Sequence, residues 1–158
     1  MSEIVTSPIE YVLGFCFNEE KTSVVLIRKN KPTWQAGLLN GVGGKIECGE
    51  SAFEAMVREF KEEVGVKTST IDWKLFCNLR GKDFTVYCFK CFNSEAWSKA
   101  SQQEVEYVEK HFVQQVYRPY CISNVPWLIE MAIDENYGKD FVANVGIKIY
   151  EKSNCIWR

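Results

Sequence analysis

The sequence predicts an α+β domain built on a mixed β-sheet with at least two helices. Three observations predict it. β-Branched and aromatic runs alternate with polar turns through most of the chain. One segment repeats apolar residues at helical spacing between clear caps. A second apolar segment, near residue 130, follows a proline. With 158 residues, 46% hydrophobic and 25% charged, the chain has the size and composition of a single globular domain, 1–158.

Residues 10–17 and 22–28 are apolar runs split by Asn18-Glu19-Glu20-Lys21, which predicts a hairpin. Residues 29–40 carry Pro32, Gly37 and several polar side chains and read as a loop. Gly41-Val42-Gly43-Gly44 lets the backbone approach a ligand with no Cβ between them. Ser51, with Glu54 three residues on, predicts a capping box and a helix that begins just after it. Phe53, Met56, Val57, Phe60 and Val64 give that helix an apolar face, and Gly65 is placed to end it. Residues 71–79 and 84–92 flank Arg80-Gly81-Lys82-Asp83 as a second hairpin. Residues 93–103 are polar and read as a loop, and 104–108 alternate as a strand. Val125–Ile133 reads as a second helix, with Asn124 as its cap and Pro126 in its first turn. Residues 141–150 alternate as a last strand.

Composition excludes several classes. A net charge of −2 with no basic run argues against polymeric nucleic acid as a partner. No apolar stretch approaches the ~20 residues of a membrane helix, and residues 1–8 lack a secretory apolar core. Seven cysteines, an odd number, predict free thiols and a cytoplasmic setting. Cys88-Phe89-Lys90-Cys91 has a zinc-like spacing. On a strand, however, residues three apart face opposite ways, and the chain has one histidine, His111; buried, inert thiols are expected. His111 itself is expected in a half-exposed strand or loop rather than as a catalytic base.

The chemistry concentrates between residues 44 and 66. Glu59, Glu62 and Glu63 are three and four residues apart and share a helical face. Such pairs repel by about 0.2–0.5 kcal/mol each on an exposed helix. No lysine within the cluster stands at a neutralising offset. A hard divalent cation that takes oxygen ligands and keeps substrate phosphates in its shell would relieve the repulsion: Mg²⁺, with Mn²⁺ as a substitute.

This stretch resembles the Nudix box: Gly, five residues, Glu, seven residues, then Arg-Glu-apolar-any-Glu-Glu-any-Gly-apolar. Gly44, Glu50, Arg58, Glu59, Glu62, Glu63 and Gly65 fill the fixed places, and Phe60 and Val66 the apolar ones. The resemblance implies a sheet between helices, the Nudix α/β/α sandwich, and hydrolysis of a phosphoric anhydride. By the same resemblance Glu59, Glu62 and Glu63 match the metal-binding glutamates, with the Gly43 carbonyl as a further ligand. Glu59 or Glu63 acts in part as base, and Arg58 pairs with Glu50 to orient the catalytic set. Members often recruit another acid from outside the box; Glu104 and Glu106 are the candidates, with Glu104 preferred as nearer the loop. Lys45 and Arg28 are candidate phosphate contacts.

The run from Trp34 to Lys45 is similar to the segment before the box in MutT-type nucleoside triphosphate pyrophosphohydrolases. Asn40 matches a base-reading asparagine there, and an amide offers donor and acceptor together. Trp34 and Trp127 are candidate stacking partners. Ser123 and Asn124 hold places where the oxidised-purine branch carries acids, which counts against oxidised guanine. The ADP-ribose subgroup tends to carry a proline after the box, and the dinucleoside polyphosphate subgroup a tyrosine; Gly81–Phe84 supply neither. The expected substrate is a small nucleotide, most simply a nucleoside triphosphate cleaved to monophosphate and pyrophosphate. Nucleoside diphosphate sugars and a non-catalytic nucleotide sensor remain alternatives. Oligomeric state is open, a homodimer included.

Overall fold

The structure is a computed structural model that describes residues 6–137 and 142–148. Strand β1 (Ile9–Phe17) and β2 (Ser23–Arg28) form the first hairpin. Its turn is held by Asn18, whose Oδ1 accepts from the Thr22 and Ser23 N–H groups. β3 (Leu39–Asn40) and β4 (Val42–Lys45) follow, so the expected 29–40 loop ends in a short strand on β2.

Helix α1 (Ala52–Val64) begins with the capping box of Ser51 and Glu54. It ends at Gly65, whose φ of 76° lies in the left-handed region that favours glycine. Met56, Phe60 and Val64 are buried as the periodicity requires. Phe53 sits at the rim, where it meets Phe89 edge to face.

β5 (Lys74–Arg80) and β6 (Phe84–Phe92) form the second hairpin. The expected strand over 71–79 starts later, because Thr70–Asp72 take a 3₁₀ turn. The expected loop over 93–103 instead contains helix α2 (Ser94–Lys99). Asn93 caps it through Oδ1 and the Ala96 N–H, at 2.9 Å. Ala96, Trp97 and Ala100 give its inner side enough apolar area to dock despite the polar composition.

β7 (Tyr107–Phe112) starts three residues later than the strand expected over 104–108. Helix α3 (Val125–Ile133) has the expected bounds. Asn124, expected to cap it, makes no side-chain cap bond and sits in a helical conformation. β8 (Ala143–Gly146) is shorter than the strand expected over 141–150: Val142, Ile147 and Lys148 are not in strand, and 141, 149 and 150 lie outside the described residues.

The sheet order is β3-β2-β1-β6-β5-β8, with β4 on β1 and β7 on β2. β1–β6 and β5–β8 are parallel and the other pairs antiparallel, so the sheet is mixed. Alternation along β1 separates two cores. Leu13, Phe15 and Phe17 join Val125, Leu128 and Ile129 of α3 on one face. Val12 and Cys16 join Met56 and Phe60 of α1 on the other. Helices therefore cover both faces. Cys88 and Cys91 point into opposite cores.

Candidate active site

The site forms where α1 lies against β4. Gly43 donates its N–H to Glu63 Oε2 at 3.1 Å, which seats the helix carboxylate on the glycine strand. A Cβ at Gly44 would displace the Glu59 carboxylate, and one at Gly43 would collide with the Val12 backbone, so this close approach rests on glycine. β4 is held in register by β1, with Leu13 opposite Gly43 and Val12 opposite Gly44.

Arg58 organises the acids around it. It donates to Glu50 at 2.5 and 3.0 Å, to Glu59 at 2.7 Å, to Glu62 at 3.3 Å and to the Lys45 carbonyl at 3.0 Å. One guanidinium thus ties α1 to the loop before it and to the end of β4. The expected uncompensated cluster is corrected on this point: Arg58 offsets Glu59 and Glu62 from within the helix. Its hold keeps the Glu50 carboxyl below the usual range.

Burial pushes Glu63 up to about 8, against the opposing pull of Lys29 and the Gly43 N–H; Glu59 and Glu106 push it further up. Burial also raises Glu59, and outweighs the pull of Arg58. Glu62 is more open, its side chain 51% exposed. Two part-buried carboxylates with raised pKa values, facing backbone stripped of Cβ, are hard oxygen donors short of positive charge. Among the described residues no three acids already converge at ligating distance. A cation that keeps water and phosphate in its shell is the kind that so open a set of acids could hold. Glu59, Glu63 and the more open Glu62 would hold it.

The structure reverses the preference between the two acids outside the box. Glu104 is exposed, whereas Glu106 is turned inward, its side chain 15% exposed. The reason is the later start of β7: Arg28 pairs with Tyr107, which sets Glu106 just beyond the ladder, next to Lys29. Glu106 accepts from Lys29 Nζ at 2.9 Å and from the Asn30 N–H at 3.0 Å. Neither Lys29 nor this partnership was legible in the sequence, because a cross-strand pair depends on register.

Arg28, expected at the phosphates, is engaged by protein groups. Its guanidinium makes two 2.7 Å bonds to Glu109 and donates to the Gly37 carbonyl at 3.0 Å. Glu109 also meets His111 Nε2 at 2.7 Å, which gives His111 a structural partner. Lys45 is exposed beside the box.

Of the nucleoside candidates, Asn40 ends β3, and Asn124 and Trp127 stand at the start of α3. Leu39 donates to the Tyr120 carbonyl and accepts from the Ile122 N–H, laying the segment before α3 against β3. Asn40 Oδ1 accepts from the Gly41 N–H at 2.9 Å, so the amide Nδ2 is the group it can present. Asn124 Oδ1 is buried and has no hydrogen-bond partner among the described residues. Trp127 packs on the core, and Trp34 is 51% exposed on its loop.

Comparisons with known proteins bear on the family and the fold. Residues 9–119 match the family model of the NUDIX domain. The fold is similar to that of MutT from Aliivibrio salmonicida and Vibrio cholerae, at 22% identity and a TM-score of 0.60, covering 77% of this chain and 94% of that one. The NUDIX domain of Shewanella oneidensis NrtR in complex with ADP ribose aligns at 17% identity and a TM-score of 0.68, covering 82% and 89%. MutT from Bacillus halodurans aligns at 18% identity and a TM-score of 0.58, covering 77% and 80%. No curated protein sequence matches the chain.

Proposed function

The chain belongs to the NUDIX domain family, hydrolases of nucleoside diphosphate-linked substrates, and from that premise we propose that it is a Mg²⁺-dependent pyrophosphohydrolase of nucleoside triphosphates. The products are a nucleoside monophosphate and pyrophosphate. The observation that carries the reading is the pair of part-buried acids, Glu59 and Glu63, set against the glycine backbone of β4.

Bound there, a divalent cation supplies neutralisation of phosphoryl charge and a more acidic attacking water. Glu59 or Glu63, whose carboxyls are raised by burial, would take up the proton of the attacking water. Arg58 does not react; it fixes the rotamers of Glu50, Glu59 and Glu62. Lys45, exposed at the rim, meets the phosphates. Glu106, rather than Glu104, is the acid recruited from outside the box.

The base lies by β3. Asn40 offers a donor through Nδ2, so a base edge that presents an acceptor satisfies it. Trp34 and Trp127 are the apolar walls. A panel of nucleoside triphosphates, diphosphates and diphosphate sugars, each assayed with and without Mg²⁺ and with products separated by ion exchange, tests the reading. Monophosphate plus pyrophosphate from a triphosphate is expected. Preference for a diphosphate sugar would move the substrate assignment, and activity surviving EDTA would overturn the metal requirement.

A further inference from the structure

The acidic site holds two internal cations of different character. Arg58 is anchored on both sides, by Glu50, Glu59, Glu62 and the Lys45 carbonyl, and cannot leave without dismantling the box. Lys29 is different. It stands just past the end of β2 with one bonded acid, Glu106, at 2.9 Å, and its side chain is 18% exposed. Its flexible four-carbon stem carries a compact point charge, whereas a guanidinium fork is fixed by several partners. Lys29 is also the foremost positive charge acting on Glu63. Glu63, Glu59 and Glu106 therefore share one field, in which Lys29 is the movable neutraliser.

We propose that Lys29 is a built-in counter-ion of this site, which gives up Glu106 when a divalent cation is loaded and then meets the phosphates of the substrate. This rests on the hydrolase reading above. Close acids are eased by positive charge among them, and Lys29 supplies part of it, on Glu106, while the site waits. A doubly charged ion beside Glu63 repels Lys29 and attracts Glu106, so the Lys29–Glu106 bond is exchanged for two new pairings. The freed Nζ is hydrogen-bond competent and reaches outward from a strand end, where an anionic substrate restores its partner. The exchange needs no backbone change at Lys29, whose N–H and carbonyl stay bonded to Leu38 and Gly37.

Mn²⁺ binding to the whole chain, followed by electron paramagnetic resonance without nucleotide, tests the exchange. Lys29→Gln should bind Mn²⁺ about 10-fold more tightly than wild type, because a competing charge has gone, and Lys29→Arg should not. With Mn²⁺ saturating, Lys29→Gln should raise the nucleotide KM by about 10-fold while kcat changes less. Damage to the fold can only weaken Mn²⁺ binding, so a gain reports the charge itself. Unchanged or weaker binding in Lys29→Gln, or equal tightening in Lys29→Arg, overturns the proposal. Glu63→Gln separates it from its premise. If that variant binds Mn²⁺ as wild type does, the box is not the metal site and both readings fall. If it loses Mn²⁺ while Lys29→Gln gains nothing, the role of Lys29 alone falls.

Discussion

Replacing Glu63 by glutamine should stabilise the metal-free protein near neutral pH, although it should cripple the enzyme. The Glu63 carboxyl stands at about 8 in the folded chain against an ordinary value of 4.5, mainly because it is buried. Between those two values the folded state keeps a proton that the unfolded state releases. Stability is therefore full below about pH 4.5 and falls as pH rises through the window to about 8. The limiting slope is about 1.4 kcal/mol per pH unit, or roughly 2 kcal/mol between pH 5.5 and 7.5 after allowing for relaxation of the site. Glutamine keeps the acceptor for the Gly43 N–H and removes the ionisation, so its profile should be flatter by that amount. Glu50 and Glu109, held low by Arg58 and Arg28, lose their contribution only as pH falls through the acid range and do not interfere. Urea unfolding in EDTA at three pH values measures the difference. A shift of about 2 kcal/mol corresponds to roughly 4–8 °C in Tm for a chain of this size. Saturating Mg²⁺ should stabilise wild type and not the variant. Parallel pH profiles of wild type and Glu63→Gln in EDTA would show that the carboxyl is not strained by burial, and the argument for a charge-hungry site would fail.

Three further outcomes follow from the geometry. Glu106→Gln should lower kcat/KM by at least about 10-fold while Glu104→Gln stays near wild type, since only Glu106 is turned toward Glu63; steady-state kinetics of both decide it. Gly44→Ala should cost about 1–3 kcal/mol in stability, because its Cβ meets the Glu59 carboxylate, and should weaken Mn²⁺ binding as Glu59 is displaced; an unfolded-baseline urea titration and Mn²⁺ resonance measure the two effects. Asn40→Ala should reduce kcat/KM for the preferred base by about 1–3 kcal/mol and leave the other bases less affected, with equal loss for all bases pointing to a role in loop shape instead.

The residues that define the box were legible because their logic is local. The Ser51–Glu54 capping box, the apolar repeat through Val64 and the left-handed stop at Gly65 depend on neighbours within a turn or two. The hairpin around Asn18 and the bounds of α3 are local in the same sense. Helix α2 was hidden by polar composition: six residues show too little period, and only docking through Ala96 and Trp97 makes them helical. Pairings decided by register were not legible at all. Which acid turns inward depends on where β7 starts against β2, and that placed Glu106 beside Lys29 and left Glu104 exposed. The same register gave Arg28 to Glu109. Sequence by itself thus determined the family and the residue types of the candidate site, because both are written at fixed short spacings. The tertiary structure alone decided which charges face one another, because electrostatic partners are chosen by distance through space.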